Sequence, residues 1–147
     1  MRLYLDTCCL NRPFDDPSQL RVRREAEAVI AIFRDIEHRR WEWLTSDTLI
    51  AEVDRRPGVG RHRVIAAWLP LAAHHVQTGP LVVRRAEALQ GLGIHRFDAL
   101  HLASAESGGA DVFLTTDDRL RRAAVRHIKD LHVAVSNPLT WLERLNG

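Results

Sequence analysis

Arg2-Leu3-Tyr4-Leu5-Asp6 decides how the chain is read. Leu3 and Leu5 alternate with Arg2 and Tyr4, the period of a short buried strand. The strand ends at a carboxylate, Asp6, followed by Thr7, Cys8 and Cys9. A carboxylate where an apolar strand ends is costly unless it is paired or holds a cation. In open parallel α/β sheets, ligands bind at the carboxyl ends of the strands. Read alone, Asp6 could equally cap or turn the chain out of the strand. The pattern recurs: Asp111-Val112-Phe113-Leu114-Thr115 is a second such strand, and Asp117 follows it.

Outward from these strands the chain alternates between the two periods. Cys8 to Asp16 reads as a loop, with turn chemistry in Asn11-Arg12-Pro13 and Asp15-Asp16-Pro17. A helix is expected next, capped by Asp16, with Pro17 at its first position and Gln19 completing a capping box. Val22, Ala26, Val29, Ile30, Phe33 and Ile36 carry it to about residue 39. Trp41 to Thr45 is a short strand, and Ser46 caps a helix from Asp47 to about Arg55. Pro57-Gly58-Val59-Gly60 breaks that helix. Arg61 to Ala73 is a third helix interrupted late by Pro70, and His75-Val76-Gln77 a strand. Pro80 opens a helix through Leu92, ended by Gly93. Arg96 to Ser107 is helical and closes at Gly108-Gly109. Strand Val112–Thr115, helix Asp118–His127, strand His132–Val135 and a helix opened by Asn137-Pro138 complete the chain. Strands alternating with helices predict an α/β fold with a mostly parallel sheet and helices on both faces.

The totals bound the function. At 147 residues the chain is expected to be one domain, 1–147, with a core that needs no disulfide or metal to hold it. Hydrophobic content of 46% and charged content of 27% are those of a soluble globular protein. No apolar run approaches a membrane span or a signal-peptide core, so a cytoplasmic protein without a membrane partner is expected. Cys8 and Cys9 are adjacent, without the spacing of a zinc ribbon or a thioredoxin site. Lys129 is the sole lysine among 21 basic residues, so the positive charge is almost all arginine. Arginine suits phosphate, but a net charge of +2 permits a nucleic-acid partner without establishing one.

Four acids stand in apolar or small surroundings: Asp6 and Asp117 at strand ends, Glu52 between Ile50 and Val53, and Asp98 at the head of Asp98-Ala99-Leu100-His101-Leu102-Ala103-Ser104-Ala105. Each has a plainer reading. Glu52 could pair with Arg55 or Arg56, Asp117 could be a helix cap, and His101, one turn beyond Asp98, could be its structural partner.

Taken together, these segments resemble the PIN-domain nuclease family, and within it the VapC-like toxins of bacterial toxin–antitoxin pairs. The motifs are Leu5-Asp6-Thr7, Thr45-Ser46 with Glu52, Gly93-Ile94 with Asp98-Ala99-Leu100-His101, and Leu114-Thr115-Thr116-Asp117. The likeness runs from Met1 to the Asn137-Pro138-Leu139 region, and its order and spacing are more specific than any single motif. It implies a three-layer α/β sandwich and metal-dependent hydrolysis of RNA, with Asp6, Glu52, Asp98 and Asp117 as catalytic and metal-binding acids. The cofactor would be Mg2+ or Mn2+, hard ions that favour carboxylate oxygens. Asp6 and Asp98 are expected to bind it directly. Thr7 and Thr115 would support the ligands, and His101 would buttress Asp98. Arg12, next to Asp6 in sequence, is a candidate phosphate contact, with a plain surface arginine as the simpler reading. The resemblance also implies an antitoxin partner and a homodimer. Asp118 follows Asp117 where many family members have a small or uncharged residue, which leaves two candidates for the fourth acid. The Cys8–Phe14 stretch departs from the common toxin sequence.

Other readings compete. A phosphatase of the haloacid-dehalogenase type needs a second acid where Cys8 stands, and a cysteine phosphatase needs an arginine where Phe14 or Asp15 stands. The stronger rival is a PIN-fold protein that binds RNA or a protein partner without cutting, a role for which four retained acids have no use.

Overall fold

The computed structural model describes residues 1–147. Five strands, β1 (Arg2–Leu5), β2 (Glu42–Ser46), β3 (His74–Val76), β4 (Val112–Leu114) and β5 (Ala134–Ser136), form one parallel sheet in the order β3-β2-β1-β4-β5. Eight helices surround it: α1 (Thr7–Asn11), α2 (Leu20–Glu37), α3 (Asp47–Arg55), α4 (Val59–Trp68), α5 (Pro80–Gly91), α6 (Arg96–Ser107), α7 (Asp118–Arg126) and α8 (Pro138–Asn146). This is the three-layer α/β architecture expected from the alternation.

Register assigns the two faces. Leu3 lies beside Trp43, and Trp43 meets Phe33 of α2 edge to face at 4.9 Å. Tyr4 lies beside Leu44 and Phe113, and its hydroxyl reaches His101 of α6. One face therefore packs under α2, with α8 against it, and the other under α6, with α5 against it. Leu3, Tyr4, Leu5, Trp43, Leu44, Phe113 and Leu114 are essentially inaccessible to solvent. Strands buried on both faces read as apolar runs because neither pleat meets water.

Helix ends fix where the site's elements begin. Gly93 ends α5 with φ +95°, its N–H donating to Gln90 O while the Ile94 N–H donates to Leu89 O. That is the double hydrogen bond of a left-handed helix stop, and it turns the chain into α6 so that Asp98 falls in the first turn. Gly108 closes α6 against the sheet: a Cβ there would stand 2.8 Å from Val76 Cγ2 and closer still to Leu44.

Four local expectations are corrected. The stretch after Asp6 is not a loop but α1 followed by a 3-10 turn, Arg12–Phe14, made by burial of Cys9 and Leu10 in the core. Asp16 does not cap α2; it accepts the Ser18 N–H in a turn, and α2 begins at Leu20 with Gln19 making no side-chain cap. The third helix starts earlier, at Val59, and stops at Trp68, where Leu69-Pro70-Leu71 tightens into a 3-10 turn. The edge strands sit at His74–Val76 and Ala134–Ser136.

Candidate functional site

The strand order reverses between β1 and β4, because β1 leads outward to β2 and β3 while β4 leads to β5 on the other side. A crevice at the carboxyl ends of the strands is expected at such a switch point. Asp6 leaves β1 on one side of it, with its N–H donating to Leu114 O, and Thr115 to Asp117 leave β4 on the other.

Asp6 is buried and closely held. Its Oδ1 accepts the Thr7 N–H at 2.8 Å, and its Oδ2 accepts the Thr115 hydroxyl at 2.9 Å. The Cys8 thiol also lies against Oδ2, at 3.5 Å, and contacts Thr115 Oγ1. Thr115 Oγ1 in turn accepts the Asp117 N–H at 3.1 Å, so one hydroxyl ties the tips of both strands together. Asp117 Oδ1 accepts the N–H groups of Arg119 and Leu120, capping α7.

Asp98 is half-buried and takes no hydrogen bond from the protein. Burial pushes its carboxyl up to about 6, and the charges of Asp6 and Asp117 push in the same direction. Asp6, Asp98 and Asp117, from three separate segments, thus lie near enough for their charges to act on one another, though not in a closed cluster. The charges of His101 and His95 offset that repulsion at Asp98 only in part, so a cation would find a like-charged group to neutralise.

Glu52 belongs to a second arrangement. Its Oε1 accepts a hydrogen bond from His101 Nε2 at 2.7 Å. His101 Nδ1 and the Tyr4 hydroxyl lie 2.6 Å apart, and Tyr4 OH lies 2.6 Å from Ser46 Oγ, which caps α3 by accepting the Leu49 N–H. A carboxylate can only accept, so Nε2 carries the proton. Burial alone would lower the His101 pKa, but the Glu52 hydrogen bond and the charges of Asp6, Glu52 and Asp98 raise it. Burial likewise pushes Glu52 up, and His101 more than offsets that, holding Glu52 below its usual range. His101 thus serves Glu52, not Asp98 as the helical spacing suggested, and Glu52 pairs with neither Arg55 nor Arg56. Tyr4→Phe should cost about 1–2 kcal/mol of unfolding free energy, because His101 Nδ1 would be left buried without a partner. Urea unfolding measures this directly, and an unchanged midpoint would contradict the hydrogen-bonded chain.

The remaining candidates divide. Thr7 donates its backbone N–H to Asp6 and places Oγ1 at 3.5 Å from His101 Nε2. Arg12 points away from the acids: it pairs with Glu25, which is only 1% exposed, at 2.9 Å, and with Asp15 at 3.1 Å. Asp118 is not simply solvated. It takes two hydrogen bonds from Arg21, at 2.7 and 2.8 Å, and another from Arg121, which hold its carboxyl well below the usual range. Tyr4 and Cys8 were missed from the sequence. Tyr4 alternates like a core residue, and nothing local shows that Cys8 turns back onto Asp6.

The sequence matches the model of the PIN domain over residues 3–126. The chain belongs to the PIN domain family. The match runs from β1 to the end of α7 and so contains all four acids. No curated protein matches the chain in sequence. Among solved structures it resembles a chain of VapBC2 from Rickettsia felis, crystallised bound to a DNA fragment from their promoter. The TM-score is 0.56 at 12% identity, over 93% of this chain and 98% of that one. At that identity the likeness speaks for the PIN fold.

The acids of this PIN domain do not form a closed cage: no three His, Cys, Asp or Glu side chains stand close enough to enclose an ion. Their chemistry nonetheless suits magnesium, which keeps several of its waters and is bound through one or two carboxylates plus a substrate phosphate. No helix is long and apolar enough to cross a membrane.

Proposed function

We propose that this PIN domain is a divalent-metal-dependent endoribonuclease, and that it is the toxin of a toxin–antitoxin pair. The observation that carries the nuclease reading is Asp98, a half-buried carboxyl pushed up to about 6 by burial and by Asp6 and Asp117 at the switch point of the sheet. Carboxyls raised by burial and by like charges in a crevice are characteristic of functional sites, and a divalent cation is the ligand that neutralises such a group.

Asp6 and Asp98 would hold Mg2+ or Mn2+, with Asp117 and Glu52 completing the set directly or through water. When bound, such an ion polarises a scissile phosphate, lowers the pKa of an attacking water and stabilises the leaving oxygen. The protein's own part is orientation. Thr115 and the Thr7 N–H fix the Asp6 carboxylate, the α7 cap fixes Asp117, and the Tyr4–His101 chain fixes Glu52. Held groups lose little entropy when substrate arrives. The fold likeness to VapBC2 supports the toxin reading, with a homodimer and a small antitoxin as expected partners.

The test is a broad pool of single-stranded and structured RNA incubated with purified protein. Cleavage is expected with manganese or magnesium and should stop with chelator. Tight RNA binding without cleavage at any manganese concentration would favour a PIN domain that binds RNA or protein without cutting.

A further inference from the structure

We infer that α7 carries a phosphate-binding track for the RNA strand leading away from the acids, with Arg119 and Arg126 as its contacts. The inference rests on the nuclease reading above and adds the surface that holds the substrate. A cavity of about 170 Å³ opens beside Asp98, between the Gly93–His95 turn and α7, and Arg119 and Arg126 line it. A second hollow, of about 370 Å³, shares Arg126 and adds Arg121, Arg122 and the exposed Val125. The two share Arg126 as a lining residue, so the second hollow lies beyond the first along α7.

The sequence of α7 dictates this surface. Leu120, Ala123 and Ala124 bury one stripe of the helix. Arg119 and Arg126 lie two turns apart on one side, roughly 10 Å along the axis at 1.5 Å per residue. Ala123 lies between them and lines the same cavity, where a larger side chain would fill it. Arg121 is paired with Asp118, but the charge of Arg119 and Arg126 is not already neutralised. Arg12, Arg21, Arg24, Arg56 and Arg85 are all engaged by carboxylates. Arg119 instead hydrogen-bonds His95 Nε2, and Arg126 has no acidic partner. Two guanidinium groups without counterions, facing a cavity shared with a cation-demanding carboxyl, suit a polyanion whose neighbouring phosphates occupy both places. The exposed Val125 offers an apolar contact to a base face. A free acidic peptide would bring no group that uses the acids.

Arg119→Ala/Arg126→Ala should be compared with wild type and with Arg23→Ala/Arg144→Ala, which removes equal charge from exposed positions on α2 and α8. Binding of a short single-stranded RNA is measured by anisotropy across a salt series with chelator present, and cleavage with magnesium. The α7 variant should bind about tenfold more weakly, with its salt slope reduced by roughly 1.4, that is ~0.7 per lost phosphate contact. Its KM should rise with kcat near wild type, while the control variant moves neither. If wild type cleaves but the α7 variant keeps its KM and salt slope, this inference falls and the nuclease reading stands. Loss of binding in the α7 variant of a protein that never cleaves would uphold the track and sink the nuclease reading. Unchanged RNA affinity with lost affinity for polyglutamate would overturn the track in favour of an acidic protein partner. Absence of any RNA binding or cleavage by wild type would overturn both.

Discussion

Asp98→Asn is expected to lower RNA cleavage by about 10³-fold, the scale of losing a charged group aimed at a reacting phosphate, and at the same time to make the metal-free fold more stable. The two effects have one cause. Burial and the charges of Asp6 and Asp117 push Asp98 up to about 6 from an ordinary 3.8, so the fold binds its proton more tightly than the unfolded chain does. The charged form therefore destabilises the protein above pH 6. This destabilisation is relieved as pH falls through 6 toward 3.8, the direction in which the folded state gains protons. A shift of about two units corresponds to about 3 kcal/mol if taken at face value. Asp98 is only half-buried, and solvent screening reduces that to about 1 kcal/mol. The neutral asparagine should then raise the melting temperature at pH 7 by about 2–4 °C. Acidification from pH 7 to pH 5 should stabilise wild type and leave the variant without this gain. Millimolar magnesium or manganese should raise the wild-type melting temperature, since a ligand that binds only the folded state stabilises it, and the variant should lose that response. A wild-type protein indifferent to both ions across a titration would remove the shared cation site from consideration.

What was legible in the sequence follows the range of the forces involved. The strand-then-acid endings at Asp6 and Asp117 could be read because a period of two and a terminal carboxylate are local signals. The bounds of α3 and α6 were legible for the same reason: Ser46 caps one with its own hydroxyl, and Gly108-Gly109 stops the other through a left-handed turn. The helix α1 was not legible. Five residues rich in cysteine and followed by Asn11 and Pro13 look like a loop, and they become helical because Cys9 and Leu10 are drawn into the core against Leu114. His101 shows the same limit within the site. Its spacing from Asp98 is a local fact, but the partners that orient its ring, Tyr4 and Glu52, lie 97 and 49 residues away in the chain. Arg12 is near Asp6 in sequence, yet Glu25, a buried carboxylate on α2, exerts the stronger pull on it.

Asp117→Asn should cut cleavage severely, whereas Asp118→Asn should leave the rate nearly unchanged. The two neighbours face opposite ways at the head of α7. Asp117 accepts helix N–H groups through Oδ1 and is close enough to Asp98 for its charge to raise that carboxyl, so it belongs to the acidic group. Asp118 is turned outward onto Arg21, which also donates to Thr116 O and so fastens the turn to α2. Asparagine at 117 can still cap the helix, since Asn and Asp are near-equal there, and its stability cost should stay below about 1 kcal/mol. Any large loss of rate is then a loss of charge at the site. Asparagine at 118 weakens the pair with Arg21, an exposed contact worth about 1 kcal/mol or less, and lowers the melting temperature without touching the acids. The stability lost with Asp118 is fully present above the ordinary carboxylate range and is lost only as pH falls below that range toward the depressed folded value, because that carboxyl is held low by its arginines. Asp118→Asn should therefore converge in stability with wild type at strongly acid pH, while only Asp117→Asn is inactive at neutral pH. Rates must be compared at a temperature where both are folded. Should Asp118→Asn be the more damaging to cleavage, the fourth acid is Asp118, and the end of β4 delivers the neighbouring carboxylate to the site.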